Sequence, residues 1–271
     1  MYKTYIIDDM FGISELITEQ RYREELDRFR SLFIYRGMSD SSYKMMPSLQ
    51  RVCKKKSRDL EPVILSNFTK YAVLEKPSIE QSIWHQMILG QHHGLPTRLL
   101  DWSFSPLISM HFALSETSLE KLDQHDCVIW RMDIDELHSL LPEKYQRIME
   151  KEKTTAFSLK MLQEACTCLE EYDDDMKDRA MLIVEPPSIE QRIVSQFSFF
   201  SVIPSDMDDI EEFLWKYTNN TVRFIIKKEL RWQARDLLDH LNISERIIYP
   251  GLDGLSRWLE RHYYVKEDHS G

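Results

Sequence analysis

An α+β fold, with helices packed around a small mixed sheet, follows from how strand-like and helix-like runs are spread along the chain. Apolar runs of strand length fall near residues 32, 98, 128, 182, 198 and 223. Segments of helical period separate them at uneven intervals rather than one by one, which fits helices segregated around a sheet. A chain of 271 residues, 42% apolar and 30% charged, is long enough to bury a proper core. With no internal repeat and no low-complexity linker, the expected organisation is a single domain over 1–271.

Taken in order, Tyr22, Leu26 and Phe29 recur at helical spacing and predict a first helix over about Ile13 to Phe29. Leu32 to Arg36 reads as a strand stopped at Gly37, with Phe33 and Tyr35 on one face and Ile34 and Arg36 on the other. A second helix is expected from Arg58 to Leu74, its inward stripe being Leu60, Ile64, Phe68 and Tyr71. Ser78-x-x-Gln81 has the pattern of a capping box opening a third helix, which Gly94 and Leu95-Pro96 end. Its apolar face, Ile83, Trp84, Met87 and Ile88, also carries the polar Gln91. Thr97 to Trp102 reads as extended chain, and Ser105-Pro106 as the N-cap and first turn of a short helix. Cys127 to Met132 is a strand followed by an Asp133-x-x-Glu136 cap, and Met181 to Val184 and Val222 to Ile226 are further strands. Glu170 to Lys177 is charged and poorly patterned, so a surface loop is expected there. Leu230, Ala234, Leu237 and Leu241, then Leu255, Trp258 and Leu259, give the C-terminal part helical period.

Several function classes drop out on composition. The net charge of −10 argues against broad contact with nucleic acid, which needs clustered Lys and Arg. Arg51 to Arg58, with Lys54, Lys55 and Lys56 between, is a local exception: a solvated loop or helix start, or a site for an anionic partner. No stretch reaches the roughly 20 apolar residues of a membrane helix, and the early acidic residues Asp8 and Asp9 do not fit a signal peptide. A cytoplasmic location without membrane partners is therefore expected. Cys53, Cys127, Cys166 and Cys168 make no C-x-x-C pair, and Cys166 and Cys168 on one helix would point apart, so they read as buried hydrophobes. With seven glycines and neither G-x-G-x-x-G nor a P-loop pattern, any nucleotide would have to be held by side chains.

Three segments carry polar residues that periodicity does not explain. In Tyr35-Arg36-Gly37, an Arg beside a Gly suits recognition of an anion or ribose phosphate, or a structural pairing with a carboxylate such as Asp101. Gln91 to Ser103 follows a helix stop, where sites concentrate. Its His92 and His93 are adjacent and lack a third ligand at useful spacing, so capping of the helix end is favoured over a metal and no metal is expected. Ser188 to Phe200 places Arg192 and Gln196 four apart, on one face if helical. A single site is expected to gather Arg36, Gln91, Thr97, Arg98, Asp101 and Gln196, with Asp101 part-buried and paired to Arg36 or Arg98.

Together these motifs resemble the FRG domain family. The signature runs Phe33-Ile34-Tyr35-Arg36-Gly37, Pro47-Ser48-Leu49-Gln50-Arg51, then Gln91-His92-His93-Gly94-Leu95-Pro96-Thr97-Arg98-Leu99-Leu100-Asp101-Trp102-Ser103. Pro106, Phe112-Ala113, Arg192-Ile193 with Gln196, and Pro250 to Leu255 extend it, so the similarity covers about residues 10 to 265. Tyr35 stands for the naming Phe, and Phe197 where the family usually has Gly. A further similarity, to ADP-ribosyltransferase folds, implies NAD as substrate. On it Arg36 holds the dinucleotide, Ser103, Ser109 and Phe112-Ala113 echo a second motif, and Gln196 occupies the place of the catalytic Glu. The implied roles are catalytic for Arg36, Gln196 and Asp101, and NAD-binding for Arg36, Gln91, Thr97, Arg98 and Ser103. Since a neutral Gln stabilises positive charge weakly, Asp101, Glu185 or Glu190 is expected to supply the carboxylate. The implied activity is ADP-ribosyl transfer or NAD glycohydrolysis by a toxin or antiphage effector acting on an unidentified acceptor. The alternatives are a non-catalytic module that binds a ligand or a protein in the same polar pocket, and a structural role in which the cluster is a buried hydrogen-bond network.

Overall fold

The computed structural model describes residues 1–75, 82–116, 118–187 and 191–266, without the side chains of 191–193. The chain opens with β1 (Lys3–Ile7) and α1 (Met10–Thr18), the latter capped by Asp9, whose carboxylate accepts the Gly12 N–H. The expected first helix stops there. Tyr22, Leu26 and Phe29 lie instead in a small hairpin of β2 (Tyr22–Arg23) and β3 (Arg28–Phe29), with Tyr22 opposite Phe29 and Asp27 turning the chain at φ 49°. All three are exposed, so their helical spacing reports a cross-strand aromatic contact and not a buried stripe.

Next come β4 (Phe33–Met38), α2 (Ser48–Cys53) and α3 (Ser57–Ala72). Lys54, Lys55 and Lys56 form an exposed 3-10 turn between the two helices. Helix α3 runs where expected but rolled by one residue: Glu61 and Leu65 are buried, while Leu60 and Tyr71 are exposed. The Ser78-x-x-Gln81 box lies outside the described residues. Ser82 caps α4 (Ile83–His92) through the Trp84 N–H, and Gly94, at φ 82°, lets the chain turn out of the helix.

β5 (Leu99–Ser103) leads into α5 (Pro106–Ala113), with Ser105 at the N-cap and Pro106 at the first position as expected. β6 (Cys127–Asp133) is buried throughout and passes to α6 (Ile134–Ser139), capped by Asp133. Glu136 does not close a reciprocal box; its carboxylate accepts the Asn219 and Asn220 N–H groups. After α7 (Glu143–Glu152), β7 (Phe157–Ser158) and α8 (Leu159–Ala165), the segment expected to be a surface loop forms α9 (Leu169–Met176). It is a helix because Leu169, Tyr172, Asp173 and Met176 form its buried face. Cys166 and Cys168 therefore separate two helices instead of sharing one; Cys127 and Cys166 are buried, Cys53 half-buried and Cys168 exposed.

The chain closes with β8 (Leu182–Glu185), α10 (Gln191–Gln196), β9 (Ser198–Val202), α11 (Ile210–Tyr217), β10 (Val222–Ile226), α12 (Arg231–His240), α13 (Glu245–Ile248) and α14 (Leu252–His262). In α14 the buried positions are Gly254 and Arg261 rather than the apolar stripe Leu255, Trp258 and Leu259.

The result is α+β, with a mixed eight-stranded sheet in the order β1-β10-β6-β4-β5-β9-β8-β7. All six expected strands are present. The sheet is larger than expected because β1 and β7 add parallel edges beside β10 and β8. One face of the sheet packs Ile34, Leu100, Trp102, Val128 and Trp130 against Leu137 of α6 and Phe213 of α11. The other face carries two separate clusters. Phe33, Tyr35 and Ile129 pack with α1, α5 and α12, whereas Leu99, Val184 and Phe200 pack with α3, α4, α8 and α9. Between these clusters β4 and β5 pair at a single point, Tyr35 opposite Ser103. The two strands otherwise part company, and the sheet is split at its centre. No helix among the described residues is long and apolar enough to cross a membrane.

Candidate functional site

A cavity of about 290 Å³ opens at that split, lined by Tyr35, Arg36, Gly37, Gln91, Asp101, Trp102, Ser103, Ser109, Phe112, Gln196 and Ser198. The size is at the small end for ligand sites. Each wall has a local cause. Gly37 lets β4 and α5 touch: a Cβ there would fall 1.8 Å from the Ser109 carbonyl oxygen and 2.6 Å from the Ala113 nitrogen. Its lack of a side chain serves another stretch of backbone, and so Ser109 and Phe112 stand directly over the strand.

Arg36 fills the gap between the strands. Its Nη1 donates to the Asp101 carbonyl oxygen at 2.7 Å and lies 3.9 Å from the Asp101 carboxylate. In a continued antiparallel ladder that carbonyl would face β4 backbone; here a guanidinium takes it. Arg36 Nε is buried with no hydrogen-bond partner. Burial of the guanidinium lowers its pKa from the ordinary arginine value, Asp101 opposes this, and the nearby Arg51 charge adds to it. The cation is thus incompletely compensated, the condition in which an arginine gains most from an anion.

Asp101 departs from expectation in one respect. Its side chain is 59% exposed, not part-buried, and faces the cavity. The carboxylate is nonetheless oriented: Gln91 Nε2 donates to Oδ2 at 2.9 Å, and Gln91 Oε1 accepts from Thr97 Oγ1 at 2.5 Å. That pairing fixes which end of the Gln91 amide faces Asp101. Thr97 is buried and holds Gln91 from behind without lining the cavity.

Ser103 lines the cavity, but its hydroxyl donates to the Gln196 carbonyl at 2.7 Å and accepts the Ser105 N–H, so it fastens the backbone under Gln196. Gln196 lines the cavity and donates to the Ile248 carbonyl at 3.4 Å. The following Phe197 sits at φ 48°, the left-handed region that favours glycine, and is exposed. The geometry a Gly would give is kept with a Phe in its place. Of the carboxylates weighed against Gln196, Asp101 is in the cavity, Glu185 is not among its lining residues, and Glu190 lies outside the described residues. The Arg192 side chain also lies outside them.

Arg98 does not join the site. It is buried on the α3 and α9 side, where Nε donates to both Glu61 oxygens at 2.9 Å and Nη1 donates to Asp173 Oδ1 at 2.5 Å. Asp173 also accepts the Ser205 N–H. Those hydrogen bonds, and the two carboxylates, hold the arginine charged. His92 and His93 end α4, their rings edge-on at 5.4 Å. Sequence reasoning missed Ser198 as a lining residue, and Glu61 and Asp173 as the partners of Arg98; neither carboxylate stands out from its helix by pattern.

Residues 31–122 match the family model described as FRG domain, so the chain carries an FRG domain over that segment. It holds β4, the Gln91–Ser103 motif and α5, which supply every lining residue except Gln196 and Ser198. No curated protein and no solved structure matches the chain.

Proposed function

We propose that the cavity binds NAD and acts on its nicotinamide–ribose bond, as an ADP-ribosyltransferase or NAD glycohydrolase. The observation that carries this reading is the pair at the sheet split: a half-buried arginine whose Nε is enclosed and unfilled, 3.9 Å from an exposed and oriented carboxylate. Breaking that bond sends its electron pair to nicotinamide and leaves an oxocarbenium-like ribose, as in glycoside hydrolysis. Asp101 is the group whose fixed negative charge favours that state, and Gln91 and Thr97 hold it in place beforehand. Arg36 takes phosphate or ribose oxygens, and the half-buried Phe112 offers an aromatic face to nicotinamide. Water or an acceptor side chain completes the reaction. An NAD-consuming effector in the cytoplasm, a toxin or antiphage protein, is the role this chemistry implies.

The test is incubation of the purified protein with NAD while nicotinamide release is followed. Wild type should release nicotinamide, Asp101→Asn should lose at least two orders of magnitude in rate, the scale of a removed electrostatic stabiliser, and Gln196→Ala should lose less. A second reading, a pocket that holds the nucleotide without cleaving it, is favoured by the neutral Gln196 and its bond to Ile248. It predicts that NAD raises the melting temperature while no nicotinamide appears. A melting curve indifferent to NAD, with no release, removes both.

A further inference from the structure

A second cavity, of about 440 Å³, shares Arg36 and Gly37 with the first and is otherwise lined by Met38, Ser39, Tyr43, Lys44, Met45, Met46 and Arg51. Its charge is one-sided. Arg36, Lys44 and Arg51 all line it, and no carboxylate does. Three acidic groups stand close by without lining it: Asp101 lies 3.9 Å from Arg36 on the side of the first cavity, Glu211 accepts the Met45 N–H at 3.0 Å, and Asp209 lies 3.6 Å from Lys44 Nζ with both side chains exposed. Arg51 makes no ion pair among the described residues, and its charge is felt at Arg36. Arg51 also sits on the last turn of α2, three residues before the exposed Lys54, Lys55 and Lys56, so the basic stretch visible in the sequence begins at this cavity. Beside the cations stand three methionines and the exposed Tyr43, adaptable and aromatic surface of the kind that takes a flat base.

We infer that the second cavity holds a nucleoside diphosphate moiety, its phosphates on Arg36, Lys44 and Arg51 and its base against Tyr43 and the methionines. Resting on the reading of the first cavity as the nicotinamide–ribose site, this divides NAD between two cavities that meet at Arg36. The ADP half lies in the basic one, and the reacting half lies beside Asp101. Binding energy from the half that does not react is then available to position the half that does.

The probe is ADP, compared with adenosine and inorganic diphosphate, measured by calorimetry on the whole chain. ADP should bind wild type, its affinity should fall with added salt, and adenosine should bind roughly tenfold more weakly or worse. Lys44→Ala combined with Arg51→Ala, both exposed in the folded chain, should weaken ADP by roughly tenfold or more and raise the KM for NAD. Tyr43→Ala should weaken ADP but not diphosphate. Equal binding of adenosine and ADP, or ADP binding untouched by the double substitution, overturns the assignment. Nicotinamide release with an unchanged KM in the double variant sinks this subsite while leaving the NAD reading standing. ADP binding that needs Lys44 and Arg51, in a protein that never cleaves NAD, supports the subsite and sinks the NAD reading instead.

Discussion

Arg36 and Arg98 occupy motifs of equal polarity in the sequence and end in opposite situations. Arg98 is enclosed by Glu61 and Asp173, with every contact made inside the protein. Arg36 has one carbonyl, a carboxylate at 3.9 Å and an Nε with nothing to bind. The first is a finished ion cluster joining the chain before β5 to α3 and α9. The second is a cation left open toward two cavities. What separates the two arginines is the number of partners the fold has already supplied.

The largest expected effect tests the finished side of the pair. Arg98→Ala leaves two buried carboxylates uncompensated and should lower stability by about 3–5 kcal/mol, the usual result of breaking a buried pair from one side. Urea unfolding at pH 7 checks it, and a loss under about 1 kcal/mol would erase the contrast with Arg36.

Acid should also destabilise the protein, through histidines and through neither arginine. His138 is buried, with Nδ1 against the Thr155 carbonyl and Nε2 accepting the Ile183 N–H, and burial pushes its pKa down to about 4. Burial likewise takes His111, beside Arg235, to about 3. Below the ordinary value near 6.5 the unfolded chain takes up protons that the native state refuses, so stability is full above pH 6.5 and falls from there toward pH 4. His138 alone should account for about 3 kcal/mol of that loss. A stability curve flat over that window, or one unchanged in slope by His138→Gln, would contradict the assignment.

Gly37→Ala comes next, because the added methyl has to displace backbone of α5. A loss of about 1–3 kcal/mol is expected. NAD-dependent stabilisation should vanish with it, since the cavity walls separate. The smallest effects belong to the open side of the pair. Arg36→Ala forfeits one hydrogen bond but also removes a poorly compensated, half-buried charge, and should change stability by about 1 kcal/mol at most. Asp101→Ala, at an exposed carboxylate, should stay within about 0.5 kcal/mol. Parallel melting curves of the Arg36→Ala and Arg98→Ala variants give the comparison directly. Equal losses would make Arg36 structural.

The local parts of this picture were legible in sequence. Period-2 alternation sorted Phe33 and Tyr35 from Ile34, and Ser105-Pro106 and Gly94 marked helix ends, because these features depend on neighbours within a few residues. Arg36, Gln91, Asp101, Ser103 and Gln196 announced themselves as polar residues in apolar surroundings, and they line one cavity. Arg98 announced itself in the same way and lies elsewhere. Its partners are 37 and 75 residues distant, on helices where Glu61 and Asp173 look like ordinary surface acids. Tyr22, Leu26 and Phe29 misled for a related reason: a spacing of three to four residues fits a helix stripe and equally a hairpin whose aromatic rings meet across the turn.

The contact between Gly37 and the α5 backbone has a thermodynamic side. With strand and helix seated directly against each other, the β4 and α5 sides of the first cavity are fixed relative to one another, and little freedom is left there for a ligand to remove. Binding there should lose little to ordering the protein, and association should proceed without waiting for a loop to close. Affinity differences among ligands of this cavity should then appear in their dissociation rates, while association rates stay nearly constant across the series.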